Sequence, residues 1–248
     1  WLYIVPQLRG AGITLVVVAG LPEWVGAVTV AVLVAAAVAA GGMRAITYVQ
    51  AFQYWLKLTA LLVPVILIAF ALSGGPHDFD PALVFPAEAG PSGFDAYETA
   101  SLLLALLLGT MGLPHVLVRF YTSPTGVSAR RTTVIVIAMV SAFYAVSSGM
   151  GLLARIAAPD LAVPGLADTV VLQLPSRVFP GIIGELLTAL IVAGAFAAFL
   201  ATSAGLVVSL AGVISQDVFS GSVRSFRVSA LLCALVPLAI ALLTVPAG

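Results

Sequence analysis

Charge is what this sequence has least of. Only 8% of its 248 residues are charged, against roughly 25% in an ordinary soluble domain. Hydrophobic residues make up 62%, and the mean hydropathy is +1.19. No soluble fold of this size could cover such a chain with polar surface, so the composition describes an all-α, polytopic membrane protein whose first partner is the lipid bilayer. Cysteine is nearly missing too. The one copy, Cys233, lies in an apolar run, which excludes disulfides and cysteine metal sites. Two histidines and almost no carboxylates at membrane depth argue against a membrane enzyme, which would need such groups clustered. Ten basic and ten acidic residues cancel, and no basic stripe suggests nucleic acid.

What is present is a succession of apolar runs. The expectation is a single transmembrane domain, residues 1–248, with spans at about 1–20, 24–42, 47–72, 98–120, 132–157, 181–215 and 226–246. Each is near the roughly 20 residues that a bilayer core demands. The chain starts at Trp1, inside an apolar run, and stops just after another, so it reads as an internal piece of a longer protein, with no signal peptide. Arg44, Arg119, Arg130, Arg131, Arg224 and Arg227 lie in or beside the second, fourth and sixth connections, against Asp217 alone. The other three connections carry Glu23, Asp78, Asp80, Glu88, Asp95, Glu98, Asp160 and Asp168, with Arg177. The positive-inside rule puts the first set in the cytoplasm of a multi-pass protein of the plasma (inner) membrane, with the first span running outward. The long polar connection "SGGPHDFDPALVFPAEAGPSGFDAYE" is expected over the outer face, with His77 solvated.

The fourth span breaks its own pattern. "LLLGTMGLPHVLVRFYTS" brings Gly109, Thr110, Gly112, Pro114 and His115 within seven residues. Pro114 removes a donor and crowds the carbonyl of Thr110, and the two glycines loosen the same turn. Irregular backbone at membrane depth is tolerated only against protein or a water-filled cavity, where freed carbonyls and N–H groups become ligands. These five residues are therefore candidates for the border of a solute cavity. A kink used only for packing is the alternative, and for His115 a hydrogen-bonded packing role stays open.

The residues "GLPHVLVRFYT", followed by "SARRTTV", resemble the sodium:solute symporter family, and within it the cation/acetate branch. "YIVPQLRGAG", "GGMRAITYVQ" and "FLATSAGLVVSLAGVISQDVF" resemble other stretches of that branch in the same order, so the likeness runs along nearly the whole chain. The resemblance implies a LeuT-type inverted-repeat helical bundle. The seven spans would be its third to ninth core helices, and the first, second and tenth would lie outside this chain.

In the sixth span Thr202 and Ser203 interrupt an otherwise apolar helix. Sodium is a hard cation that wants oxygen ligands, and a helical hydroxyl supplies one without a buried carboxylate. Back-bonding to the carbonyls one turn earlier is the competing role. The resemblance bears on this choice: the family's Ser-Thr pair at its sodium site falls on Ala201 and Thr202, so Thr202 matches and Ala201 does not. Ser203 lies about 100° further round the helix. By the same resemblance, Tyr48 stands where many relatives have an acid and the acetate branch has an aromatic. Arg9 and Lys57 are the deepest charges. Lys57 is expected to snorkel inward, whereas Arg9 would pair with a substrate carboxylate or with an acid on a helix outside this chain.

The resemblance implies sodium-coupled symport of a small organic anion, with a short monocarboxylate such as acetate as the solute. It implies no catalytic residues and no cofactor beyond the sodium ion. Another solute class, proton coupling, and a passive channel are the alternatives. A channel would favour repeated pore helices, and the sequence has no such repeat.

Overall fold

The computed structural model describes residues 1–74, 93–112, 123–161, 166, 169–219 and 221–244; for residues 41–45, 93–95 and 110 it describes the backbone alone. Among the described residues seven α-helices follow in order: α1 (Ile4–Ala19), α2 (Glu23–Ser73), α3 (Gly93–Met111), α4 (Gly126–Ala157), α5 (Val170–Val178), α6 (Ile182–Asp217) and α7 (Val223–Thr244). A short 3-10 turn, Pro159–Leu161, lies between α4 and α5, and no strand occurs among the described residues. Five segments are long and apolar enough to cross a membrane: Glu23–Ala40, Ile46–Ser73, Gly126–Ala157, Ile182–Asp217 and Val223–Thr244. Ile4–Ala19 and Ala96–Gly109 are apolar but shorter.

Local chemistry sets the helix ends. Gly20 takes the left-handed conformation (φ 63°) that an L side chain resists, and its N–H reaches the Val16 carbonyl at 3.1 Å, closing α1. Pro22 then precedes α2, where a fixed φ and a missing donor do no harm. Thr125 opens α4 by accepting from the Ser128 N–H at 3.1 Å.

The 51 helical residues of α2 would reach about 75 Å if straight, far beyond a bilayer core of about 30 Å. Its neighbours show that it is not straight. Gly26 lies so close to α1 that a Cβ there would overlap the Ala11 backbone. The adjacent Gly10 faces Phe199 of α6, whose ring would sit 2.7 Å from an added Cβ. One and a half turns earlier on α6, a Cβ on Gly194 would meet the Ala60 Cβ of α2 at 2.5 Å. Gly26 and Ala60 are thus within about 30 Å of each other, where a straight helix would hold them about 50 Å apart. The helix therefore bends back into two arms, Glu23–Ala40 and Ile46–Ser73. The sequence between them opens with Gly41 and Gly42, a pair suited to a bend.

Helix α6 is the axis on which the other elements gather, packing against α1, both arms of α2, α5 and α7. One core joins Leu8 and Ala11 of α1, Val30, Val34 and Val38 of α2, Val207 and Ala211 of α6, and Ala230 and Cys233 of α7. A second joins Ile68 of α2, Met150 and Ala154 of α4, Leu172 and Leu174 of α5, and Ile191 of α6. Small residues recur at these contacts because helices in lipid associate by close packing, the surrounding tails being as apolar as leucine. Tyr54 ties the second arm of α2 to α4, its hydroxyl donating to the Met139 carbonyl at 2.9 Å.

The fourth expected span, about 98–120, appears as α3, which begins at Gly93 and ends at Met111. The Gly112 N–H closes its last turn on the Leu108 carbonyl at 3.2 Å. Pro114 and His115 lie outside the described residues, as does His77.

Candidate functional site

Residues of five helices line an open cavity of about 800 Å³ between α1, the second arm of α2, α4, α5 and α6. Its walls are mostly apolar, with Ile13, Leu61, Phe143 and Phe199 among the larger side chains. Gly10, Ala60, Gly194, Ala195 and Ala198 keep the helices close while leaving the interior open. The polar lining consists of Arg9, Thr14, Lys57 and Ser147, and no carboxylate lines the cavity among the described residues. Thr14 is turned to its own helix, donating to the Gly10 carbonyl at 2.8 Å. Arg9 is held from the side: its Nε lies 3.4 Å from Glu23 Oε1, in the first turn of α2. A carboxylate is well placed at that helix N-terminus. The partner of Arg9 is therefore an acid of this chain rather than one on a helix beyond it. Lys57 lines the cavity.

The candidate sodium residues sit one turn beyond this cavity. Ile191, Ala195 and Ala198 line it from α6, and Thr202 continues the same stripe at helical spacing. Thr202 is half-buried; Ser203 is buried, and its Oγ has no hydrogen-bond partner among the described residues. The contrast with other helical hydroxyls is informative. Thr14, Thr29, Thr133, Ser209 and Thr244 each donate to a carbonyl four residues earlier, at 2.7–3.0 Å. Among the described residues Thr202 and Ser203 make no such bond. The neighbouring Ala201 carbonyl is occupied by the Gln50 side-chain amide at 2.7 Å, which ties the second arm of α2 to this turn of α6.

The other predicted site residues fall elsewhere. Gly109 and Gly112 are exposed and line neither this cavity nor a second one under α5. A Cβ added to Gly109 would meet nothing within 4 Å. Thr110 lies on α3, with only its backbone described. The second cavity, about 810 Å³, is bordered by Val17, Gln173, Arg177, Glu185 and Thr188, and shares Leu172 with the first. Beside it Arg177 pairs with Asp160 at 2.8 Å, and Ser176 and Thr188 share a hydrogen bond at 3.0 Å. Sequence reasoning missed α5 and the cavity-lining Phe143 and Ser147. A signal for α5 existed in "VVLQLPSRV", whose apolar residues at 170, 171, 174 and 178 recur at helical spacing. None existed for the cavity, which is assembled from five separate elements.

An all-helical, apolar assembly with membrane-length spans and a cavity among its helices defines an integral, multi-pass membrane protein. Comparison with known proteins narrows this class. The chain belongs to the sodium:solute symporter family, whose model matches residues 1–245. It is 31% identical to the "Monocarboxylic acid transporter" of Corynebacterium glutamicum, over 90% of this chain and 45% of that protein. It is 33% identical to the "Uncharacterized symporter YwcA" of Bacillus subtilis, over 90% of this chain and 44% of that protein. The chain thus spans about half the length of these relatives. No solved structure matches it.

Proposed function

We propose that the full-length protein is a sodium-driven symporter of small organic anions, with a short monocarboxylate such as acetate as its solute. The observation that carries this reading is membership of the symporter family along residues 1–245, joined to a relative named as a monocarboxylic acid transporter. The hydroxyls of Thr202 and Ser203, one turn from the cavity, support a sodium site on α6. In this reading Thr202 is a direct ligand. Ala201, where the family has serine, leaves one fixed oxygen fewer and a weaker site. A solute-facing role for Gly109, Thr110, Gly112, Pro114 and His115 in a LeuT-type bundle rests on the resemblance and on the glycines and proline of that stretch, since Gly109 and Gly112 line neither cavity.

Uptake of labelled acetate into proteoliposomes bearing the full-length protein tests the reading. Concentrative uptake under an inward sodium gradient, lost when potassium replaces sodium, is the expected result. Accumulation driven by a proton gradient alone would overturn the sodium assignment. Equilibration without accumulation would mark a passive channel, and failure of excess acetate to compete with another transported solute would remove the monocarboxylate.

A further inference from the structure

We propose that Lys57 is the anchor for the solute's carboxylate. The proposal rests on the preceding reading, that the solute is a small organic anion, and names the residue that would select it. Lys57 is the only lysine in the chain; the other nine basic residues are arginine. It lies well inside the Ile46–Ser73 arm of α2, away from both ends of that span. Along with Arg9 it is one of two cations on the cavity wall, and the two differ in one respect. Arg9 has Glu23, whereas Lys57 has no partner among the described residues. With Arg9 paired and no acid on the wall among the described residues, the charge left over on that wall is the ammonium of Lys57.

A cation at membrane depth is costly unless an anion or water meets it, and such residues mark substrate and ion paths. The surroundings favour a small anion as the counter-charge. On α4 the facing groups are Phe143 and Ser147; on α5, Val171 and Leu172; none carries charge. On α6, Gly194 packs its backbone against α2 at this level, an added Cβ meeting the Ala60 Cβ at 2.5 Å and lying 3.6 Å from the Lys57 Cα, so the facing residue brings no charge of its own. An ammonium is a compact point charge with three donors, suited to one carboxylate without the planar fork of arginine. The apolar remainder of the lining suits the short hydrocarbon end of the same solute. A two-carbon acid occupies the space of only a few waters of about 30 Å³ each. The assignment therefore concerns the charged end of the cavity at Lys57, not its whole volume.

The test uses the full-length carrier in proteoliposomes with labelled propionate. Uptake by the wild type comes first; if it moves no monocarboxylate, the parent reading fails, and this one with it. Given wild-type uptake, Lys57→Met is expected to raise the KM for propionate at least tenfold while the sodium half-saturation stays within twofold. Lys57→Arg, which keeps the charge, should recover most of the loss. A second measurement needs no variant: trinitrobenzenesulfonate modification of Lys57 in the detergent-solubilised wild type, read by mass spectrometry. Propionate should protect Lys57 and neutral propionamide should not. A KM within threefold of wild type in Lys57→Met overturns the assignment while leaving the symport reading intact. Should Lys57→Met fail to reach the membrane, the labelling decides alone. Equal labelling with and without propionate would overturn the proposal, and so would a Lys57 already shielded without solute, the mark of an acid supplied from elsewhere in the protein.

Discussion

Helices α6 and α3 are both long apolar runs, yet protein surrounds one and not the other. Half of the α6 span is buried (50%), and it touches four other helices. Leu102, Leu103, Leu104, Leu106, Leu107 and Leu108 of α3 are each more than half exposed and cover about two-thirds of its circumference; Ser101, Ala105 and Gly109, on the remaining side, are exposed as well. Composition accounts for the difference. The middle of α6 reads "GAFAAFLATSAGL", small residues that let backbones approach, whereas α3 reads "SLLLALLLG". In lipid, leucine gains little by leaving the tails, so hydrophobicity alone brings no helices together. The faces of α3 suit lipid or further protein, and those of α6 are shaped for close contact. Thr202, Ser203 and five of the residues lining the cavity lie on α6, the more tightly packed of the two helices.

The comparison can be broken first by a large residue at a small position. Gly194→Leu should cost about 3 kcal/mol or more by overpacking against Ala60 and the Lys57 backbone. Loss of monodisperse full-length protein in detergent would show it. Gly109→Leu on α3 meets nothing and should leave membrane expression unchanged, while abolishing uptake in the symport reading. Equal expression of the two variants would remove the contrast. A smaller effect is expected at Thr202. Thr202→Ala takes one neutral oxygen from the proposed ion site, about 1–3 kcal/mol. That corresponds to a roughly 5- to 150-fold higher sodium concentration for half-maximal uptake. Thr202→Ser should spare it, and an unchanged sodium dependence in Thr202→Ala would return that hydroxyl to packing. The sharpest like-for-like test is the smallest. Val207→Ala, at a fully buried α6 position, should cost about 1–2 kcal/mol, and Val134→Ala, exposed on α4, under about 0.5 kcal/mol. Melting of the purified carrier under identical detergent conditions would resolve the two.

Much of the architecture could be read before any coordinates. Apolar runs near bilayer length marked the chain as a helical membrane protein, because in lipid every backbone polar group must be satisfied within its own segment. The family was legible in "GLPHVLVRFYT" and its companion stretches, which lie in the expected order along the chain. Thr202 was legible as a hydroxyl out of place among apolar neighbours, but whether it back-bonds was not, since a rotamer choice leaves no mark in residue order. Arg9 and Lys57 were visible as deep charges, but the Glu23 partner of Arg9 and the place of Lys57 on a cavity wall were not. The pairing of Arg9 with Glu23 depends on the close crossing of α1 over the start of α2, which Gly12 and Gly26 permit.

Residue order by itself determined that this protein is helical, that it lives in the membrane and which family it belongs to. These follow from local quantities: the length of apolar runs, the scarcity of charge and short motifs. Only the tertiary structure decided which helix became the axis, that α2 bends back on itself, and that Lys57 faces a shared cavity while Arg9 is paired beside it. Those outcomes depend on where separate helices touch, and in a bilayer that is set by the fit of small residues and the pairing of a few charges, not by how apolar each helix is.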